Sequence, residues 1–377
     1  MQPMPSAFPG VDPIPLPAPV WLFKVLHDLT LTLHFGALFL FLGALGLGIL
    51  WNLLGHRRRS LTLLAASGVM ATRLPVIMTF VINFGVPPLL FAQVLYGRAL
   101  YTSSILIGGY WIAVVFLLML GYFLLYRMNR RAAAGKPWWH LGLLSLAAVL
   151  AIARIYSTNM TLMLRPDAWA ALYQASAAGN HLASPDPSLD LRWLLMLTSS
   201  LGFGGLGCIL FSLKSALDPD VRAFLARGGG MAAVFGLALT AACGVLAFRA
   251  QPSTVQYVLT HATLHRGAML AWAAGLLLGG GAALGVMARP GSVSRNTLGT
   301  ILAAGLLGVG GHVVVRDGVR DQMVLAYGLD VWKREVVTNW SVVGVFIGFL
   351  LAGVGVLVWL ALVVKRAPPL EERYVNS

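Results

Sequence analysis

At 377 residues, 58% hydrophobic and only 11% charged, the chain is too apolar for a soluble domain, in which about a quarter of residues are charged. Its net charge of +14 does not mark a nucleic-acid binder, because the basic residues are spread over short connections and form no single patch. Apolar runs of 18 residues or more recur along the length, so the fold class is all-α, a polytopic membrane helix bundle.

Residues 1–21 are proline-rich and lack a basic stretch ahead of an apolar core. They read as an extended outer segment leading into the first helix and not as a signal peptide. A transmembrane domain over 22–366 follows, then a short tail at 367–377. Nine spans are predicted, near 22–54, 74–96, 103–126, 140–160, 192–214, 230–249, 257–287, 297–315 and 339–364. Arg57, Arg58 and Arg59, then Arg127, Arg130, Arg131 and Lys136, then Lys214, Arg222 and Arg227, then Arg289 and Arg295, and last Lys365 and Arg366 follow the odd-numbered spans. That side is therefore cytoplasmic, with the N-terminus outside and the C-terminus inside. Two longer outer connections are expected, 165–190 with a short amphipathic helix and 316–339 with Tyr327 and Trp332 at the interface. Cys208 and Cys243 lie in apolar spans with no CxxCH context, which excludes covalent c-type haem on this chain and leaves them as small core residues.

The histidines carry the functional signal. His27 and His34 are seven apart in the first span, so they return to nearly the same helix face. His261 and His265 open the seventh span, four apart on one face, and His312 lies near the end of the eighth. By depth these five share one layer close to the outer side, whereas His56 and His140 fall at cytoplasmic borders and His181 in a loop. Imidazoles from facing helices are the usual axial ligands of b-type haem, and arginines at the same depth suit its propionates. His34, His265 and His312 are the candidate iron ligands, with His261 the alternative to His265 and His27 the one nearest water. Arg154, Arg266 and Arg316 are the propionate candidates. Zinc is the rival, but no Glu or Cys joins the layer and no HExxH occurs. Each histidine alone also reads as a polar contact satisfied inside the bundle.

The segments LHFGALFLFLGALGLGIL, INFGVPPLLFAQVLYG, ARIYSTNMTLMLRPDAW and GHVVVRDGVRDQMVLAYG together resemble the catalytic subunit (subunit I) superfamily of cytochrome bd oxidase, as a distant and divergent member. The resemblance implies nine helices with the N-terminus outside and puts His34 on the family's haem-ligating histidine. It also implies losses. The family's haem-ligating glutamate falls on Arg316, its adjoining tryptophan on His312, its proton-path glutamate near Gln93 and a fifth-helix histidine near Leu195. The chain's glutamates are Glu335, Glu371 and Glu372, all outside the spans, and no carboxylate is expected in mid-membrane. Oxygen reduction needs protons brought to a buried site, whereas electron transfer does not.

The expectation is a haem b-binding electron-transfer subunit, with one or two haems and a quinone as a further ligand. It would sit in the bacterial inner membrane with other membrane subunits and exchange electrons with a periplasmic c-type cytochrome. A divergent terminal oxidase is the first alternative. A haem-free structural subunit or transporter is the second, disfavoured by the absence of proline-broken helix pairs.

Overall fold

The computed structural model describes residues 8, 10, 14–183, 185–213, 216–290 and 293–366. Eleven α-helices are described: α1 (Val20–Arg58), α2 (Leu61–Leu106), α3 (Gly108–Ala133), α4 (Trp139–Leu162), α5 (Trp169–Ala175), α6 (Leu189–Phe211), α7 (Pro219–Arg249), α8 (Ser253–His261), α9 (Thr263–Ala288), α10 (Arg295–Leu325) and α11 (Trp340–Arg366). No strand ladder forms among the described residues, and the chain is an all-α polytopic bundle. Eight of the helices are long and apolar enough to cross a membrane. The described part of α11 is apolar as well. Most of 1–13, and the whole of the tail at 367–377, lie outside the described residues.

The chain divides into two units, residues 1–11 with 24–331 and residues 12–23 with 332–377. In the smaller one, Leu16 pairs in parallel with Val336, its N–H donating to the Glu335 carbonyl and its carbonyl accepting from Val337. Pro15 and Pro17 flank Leu16, and prolines fix φ and withhold donors, so this short stretch is extended.

In the larger unit α1 is the central helix, with Phe41, Ala44 and Leu45 fully buried. It crosses α6 at Gly43 and Gly204, where a Cβ on Gly204 would lie 2.5 Å from the Gly43 Cα. Only glycine permits so close a backbone approach. α1 turns into α2 through Arg59, which takes φ 54°, and through Ser60, whose side chain accepts the Leu63 N–H. At the same end Asn52 is buried, and its Oδ1 accepts the N–H groups of Trp138 and Trp139 at 2.9 and 3.1 Å. One amide from α1 thus closes the first turn of α4, whose starting N–H groups have no partner within their own helix. Across the bundle, Arg165 donates to both oxygens of Asp167 and to the Pro185 carbonyl, folding the connection after α4 around α5. That bond holds the Asp167 carboxyl below its ordinary value.

Four expectations need correction. α2 is one helix of 46 residues, running well beyond the span expected at 74–96, through Pro75, Pro87 and Pro88 and with a local departure from helical geometry at Tyr96. Prolines are tolerated in membrane helices where neighbouring groups satisfy the freed backbone. The seventh span is broken: Ala262 is extended (φ −68°, ψ 127°), so His261 ends α8 and His265 starts α9 and the two do not share a helix face. The outer connection expected from Arg316 is helical to Leu325. Lastly, carboxylates do lie inside the long helices, Asp28 in α1 and Asp317 and Asp321 in α10.

Replacing Asn52 by Leu leaves the buried Trp138 N–H and the half-buried Trp139 N–H without their acceptor, at about 1–3 kcal/mol for the buried one. We expect the purified variant to unfold several degrees below the parent in a detergent thermal melt. An unchanged melting temperature would show that water or a rearranged α4 start takes over the cap.

Candidate cofactor cavity and the ion cluster beside it

The half of the bundle where α1 begins encloses a cavity of about 400 Å³, within the range of roughly 300–1,000 Å³ usual for cofactor pockets. Its walls come from α1, α2, α3, α4, α6, α7, α9 and α10 and from Leu259 of α8, and they are mostly apolar. Its basic and imidazole side chains are three histidines and three arginines: His27, His34, His312, Arg192, Arg316 and Arg320.

His34 is held by α2. Its Nδ1 lies 2.9 Å from the Val81 carbonyl, which only accepts, so Nδ1 carries the proton and Nε2 keeps its lone pair. The ring lies on Gly85, where an added Cβ would come within 2.9 Å of its Cε1. Nε2 has no partner among the described residues. An imidazole fixed by one N–H to a backbone carbonyl, with its other nitrogen free, is the arrangement that metal-ligating histidines use.

His312 lies on the facing helix, α10, buried at 9% exposure and packed between Phe35 and Trp272 with ring centroids 6.2 and 5.5 Å away. It makes no hydrogen bond among the described residues, although it lines the cavity. One helical turn further on, the Arg316 guanidinium sits over the Phe35 ring at 5.2 Å and likewise has no anion or hydrogen-bond acceptor among the described residues. Arg192 is partly engaged, donating to Ser188 Oγ at 2.7 Å and more weakly to Gln251. Two imidazoles with unused lone pairs and a cation lacking a counter-ion therefore face one apolar space. That set fits a flat metal-centred group with acidic side arms.

His27 differs. Its Nδ1 donates to the Pro88 carbonyl at 3.0 Å, and its Nε2 accepts from Arg320 at 2.9 Å. With both nitrogens engaged it is not free to ligate a metal, a correction to its place among the ligand candidates. His261 is exposed and stacked on Tyr257 at 4.0 Å. His265 packs against Gly318 with a buried, unpartnered Nδ1, and it does not line the cavity. Arg154 pairs with Asp190 at 2.7 Å and stacks on Trp193, and Arg266 is exposed; neither reaches the cavity wall. Of the candidates read from sequence, the cavity gathers His27, His34, His312 and Arg316.

Sequence reasoning missed Arg192, Arg320 and the ion cluster next to the cavity. Lys24 Nζ donates to Asp317 Oδ2 at 2.8 Å, to Asp321 Oδ1 at 2.5 Å and to the Tyr96 hydroxyl at 2.5 Å. The Tyr96 hydroxyl is shared between Asp317 at 2.8 Å and Asp321 at 2.6 Å. Arg320 lies 3.6 Å from Asp317 and over the Tyr96 ring. Asp28 adds a third carboxylate, with one oxygen within 4.8 Å of both a His27 nitrogen and an Asp317 oxygen. The signal available in the sequence was the pair Asp317 and Asp321, four apart, with Lys24 at the start of an otherwise apolar run. A divalent metal at His27, Asp28 and Asp317 is a poor fit, because Arg320 already occupies His27 Nε2 and Lys24 already occupies Asp317 Oδ2.

Neither a family model nor a curated protein matches the sequence.

Lys24→Met removes the cation shared by Asp317 and Asp321. Removing one partner from a buried ion pair costs about 3–5 kcal/mol. The variant is expected to lose most of its thermal stability in detergent, and Lys24→Met combined with Asp321→Asn to recover part of it. Equal losses in single and double variants would mean the two side chains are not coupled.

Proposed function

We propose that the chain is a haem b-binding electron-transfer subunit of a membrane-bound respiratory complex, with His34 and His312 as iron ligands. The observation that carries the reading is His34: its ring is oriented by the Val81 carbonyl while Nε2 stays unused on the cavity wall, which a partnerless His312 also lines. When bound, the haem would supply one-electron exchange at an iron held between imidazoles. Arg316, with Arg192 nearby, would bind the propionates, and the apolar wall from Leu31 to Leu42 and from Trp272 would keep water from the ring. The resemblance to the bd oxidase subunit points the same way, since it too places a haem ligand on His34. The remaining parts of the reading are the inner membrane as location, partner membrane subunits, a quinone as second ligand and a periplasmic c-type cytochrome as exchange partner at the outer face. They follow from the distribution of basic connections and from a cavity near the end of the bundle where α1 begins.

A terminal oxidase is the second reading, and one observation now favours it more than the sequence did. Asp28, Asp317 and Asp321 place carboxylates beside the cavity, so the lack of intramembrane acids no longer counts against proton delivery. Oxygen uptake by the purified chain with quinol or reduced cytochrome c separates the two: sustained uptake sinks the pure carrier reading.

Pyridine haemochrome analysis of the purified chain tests the carrier reading directly. We expect at least one b-type haem per chain, lost in His34→Ala and in His312→Ala and retained in His181→Ala. Arg316→Leu is expected to keep the haem but to bind it about tenfold or more weakly, the size of one charge-assisted hydrogen bond. A parent protein purified without a b-type spectrum, and unable to take up added haem, ends the proposal.

A further inference from the structure

Within the ion cluster the cations Lys24 and Arg320 lie among three carboxylates, Asp28, Asp317 and Asp321. The cations are not evenly shared. Asp317 and Asp321 are both clamped by Lys24 and by the Tyr96 hydroxyl. Asp28 forms no ion pair among the described residues, and its Oδ1 is buried without any hydrogen-bond partner. It also lies within 4.8 Å of an Asp317 oxygen. Two carboxylates that close, shielded from water, do not both stay ionised without a cation between them. Asp28 is therefore the member of the pair with room for a proton.

Among the groups of α1, α2 and α10 that face Asp28, none other has an unengaged acceptor. The groups facing it are Lys24 and His27 on α1, Tyr96 on α2, and Asp317, Arg320 and Asp321 on α10, with His265 of α9 against the neighbouring Gly318. His27 has no nitrogen to spare, Tyr96 already donates, and Asp317 and Asp321 are held by Lys24. His27 and Arg320 line the cavity, so the Asp28 carboxyl stands one imidazole away from whatever the cavity holds.

We propose that Asp28 is a redox-linked proton site: its carboxylate takes one proton from water when the cavity group gains an electron, and returns it on oxidation. This rests on the haem reading above. The balance is simple. One electron enters the cavity from a chemical reductant or from the partner carrier, one O–H bond forms at Asp28 as one breaks in a hydronium ion of the bulk water, and no bond breaks in the protein. The physical cause is the field of the added electron, which is weakly screened in an apolar interior and is offset most directly by neutralising the nearest unpaired carboxylate.

The test is a potentiometric titration of the haem in the purified full-length chain, with redox mediators, at several pH values across the neutral range. Coupling of one proton to one electron changes the reduction equilibrium up to tenfold per pH unit, about 59 mV. We expect the parent to show a pH-dependent midpoint approaching that slope, and Asp28→Asn to bind haem normally with the slope flattened. An Asp28→Asn slope equal to the parent's, or a parent midpoint independent of pH, overturns the assignment. Should Asp28→Asn fail to fold, reduced-minus-oxidised infrared spectra of the parent decide: a protonated-carboxyl carbonyl band must gain intensity on reduction, and a spectrum without one rejects the proposal. Haem present without proton linkage removes this inference alone, whereas absence of haem removes the electron-carrier reading beneath it.

Discussion

Lys24 is the contact on which the working half of the bundle depends. Its ammonium joins α1 to two carboxylates of α10 and to a tyrosine of α2, three segments far apart in sequence. An isolated charge at that depth would be prohibitive, and the cluster is tolerable only because nearly every donor and acceptor meets another. The consequence is local as well as global. The stretch RDGVRD in α10 is too polar to be read as membrane helix, yet it stays helical because α1 and α2 bring the counter-charges to it.

α2 contributes geometry more than chemistry. Its Val81 and Pro88 carbonyls each accept from an imidazole of α1, and so fix the tautomer of both rings. The outcomes diverge through a third helix. Arg320 reaches His27 and consumes its second nitrogen, whereas no group of comparable reach meets His34. Two histidines that are equivalent by spacing on one helix thus become a structural and a candidate ligating residue by virtue of what α10 places opposite each.

Much of this was legible in the sequence, for reasons that can be named. Apolar length alone sets the long helices, and it found α4 almost to the residue. Shared depth also brought His27, His34, His312 and Arg316 to one region. Helix continuity was less legible. Ala262 breaks the chain between His261 and His265 without a proline or glycine at the break, and α2 runs through three prolines that argue for interruption. The charged end of α10 was read as a loop because its compensation is tertiary: the cation at Lys24 that makes Asp317 and Asp321 affordable lies 293 residues away from the first of them. Arg154 and Arg266 illustrate the limit of depth as a criterion, since a level in the membrane says nothing about which way a side chain faces.

The division of labour on α10 follows from its period. His312, Arg316 and Arg320 recur every four residues and line the cavity as one stripe, while Asp317 and Asp321 form the adjacent stripe, about 100° further round, and face Lys24. Arginine and aspartate at neighbouring positions therefore look in different directions, and the helix presents a basic wall to the cavity and an acidic one to α1. Along the basic stripe the cations are not equivalent: Arg320, nearest the acids, is neutralised by Asp317 and spent on His27, and Arg316, one turn closer to His312, is left unmatched. An uncompensated guanidinium next to a partnerless imidazole is costly in an apolar interior unless a ligand with both a metal and an anionic group completes it. The same periodicity that stabilises the bundle at one end leaves Arg316 and His312 without partners among the described residues at the other, which is the basis of the proposed haem site.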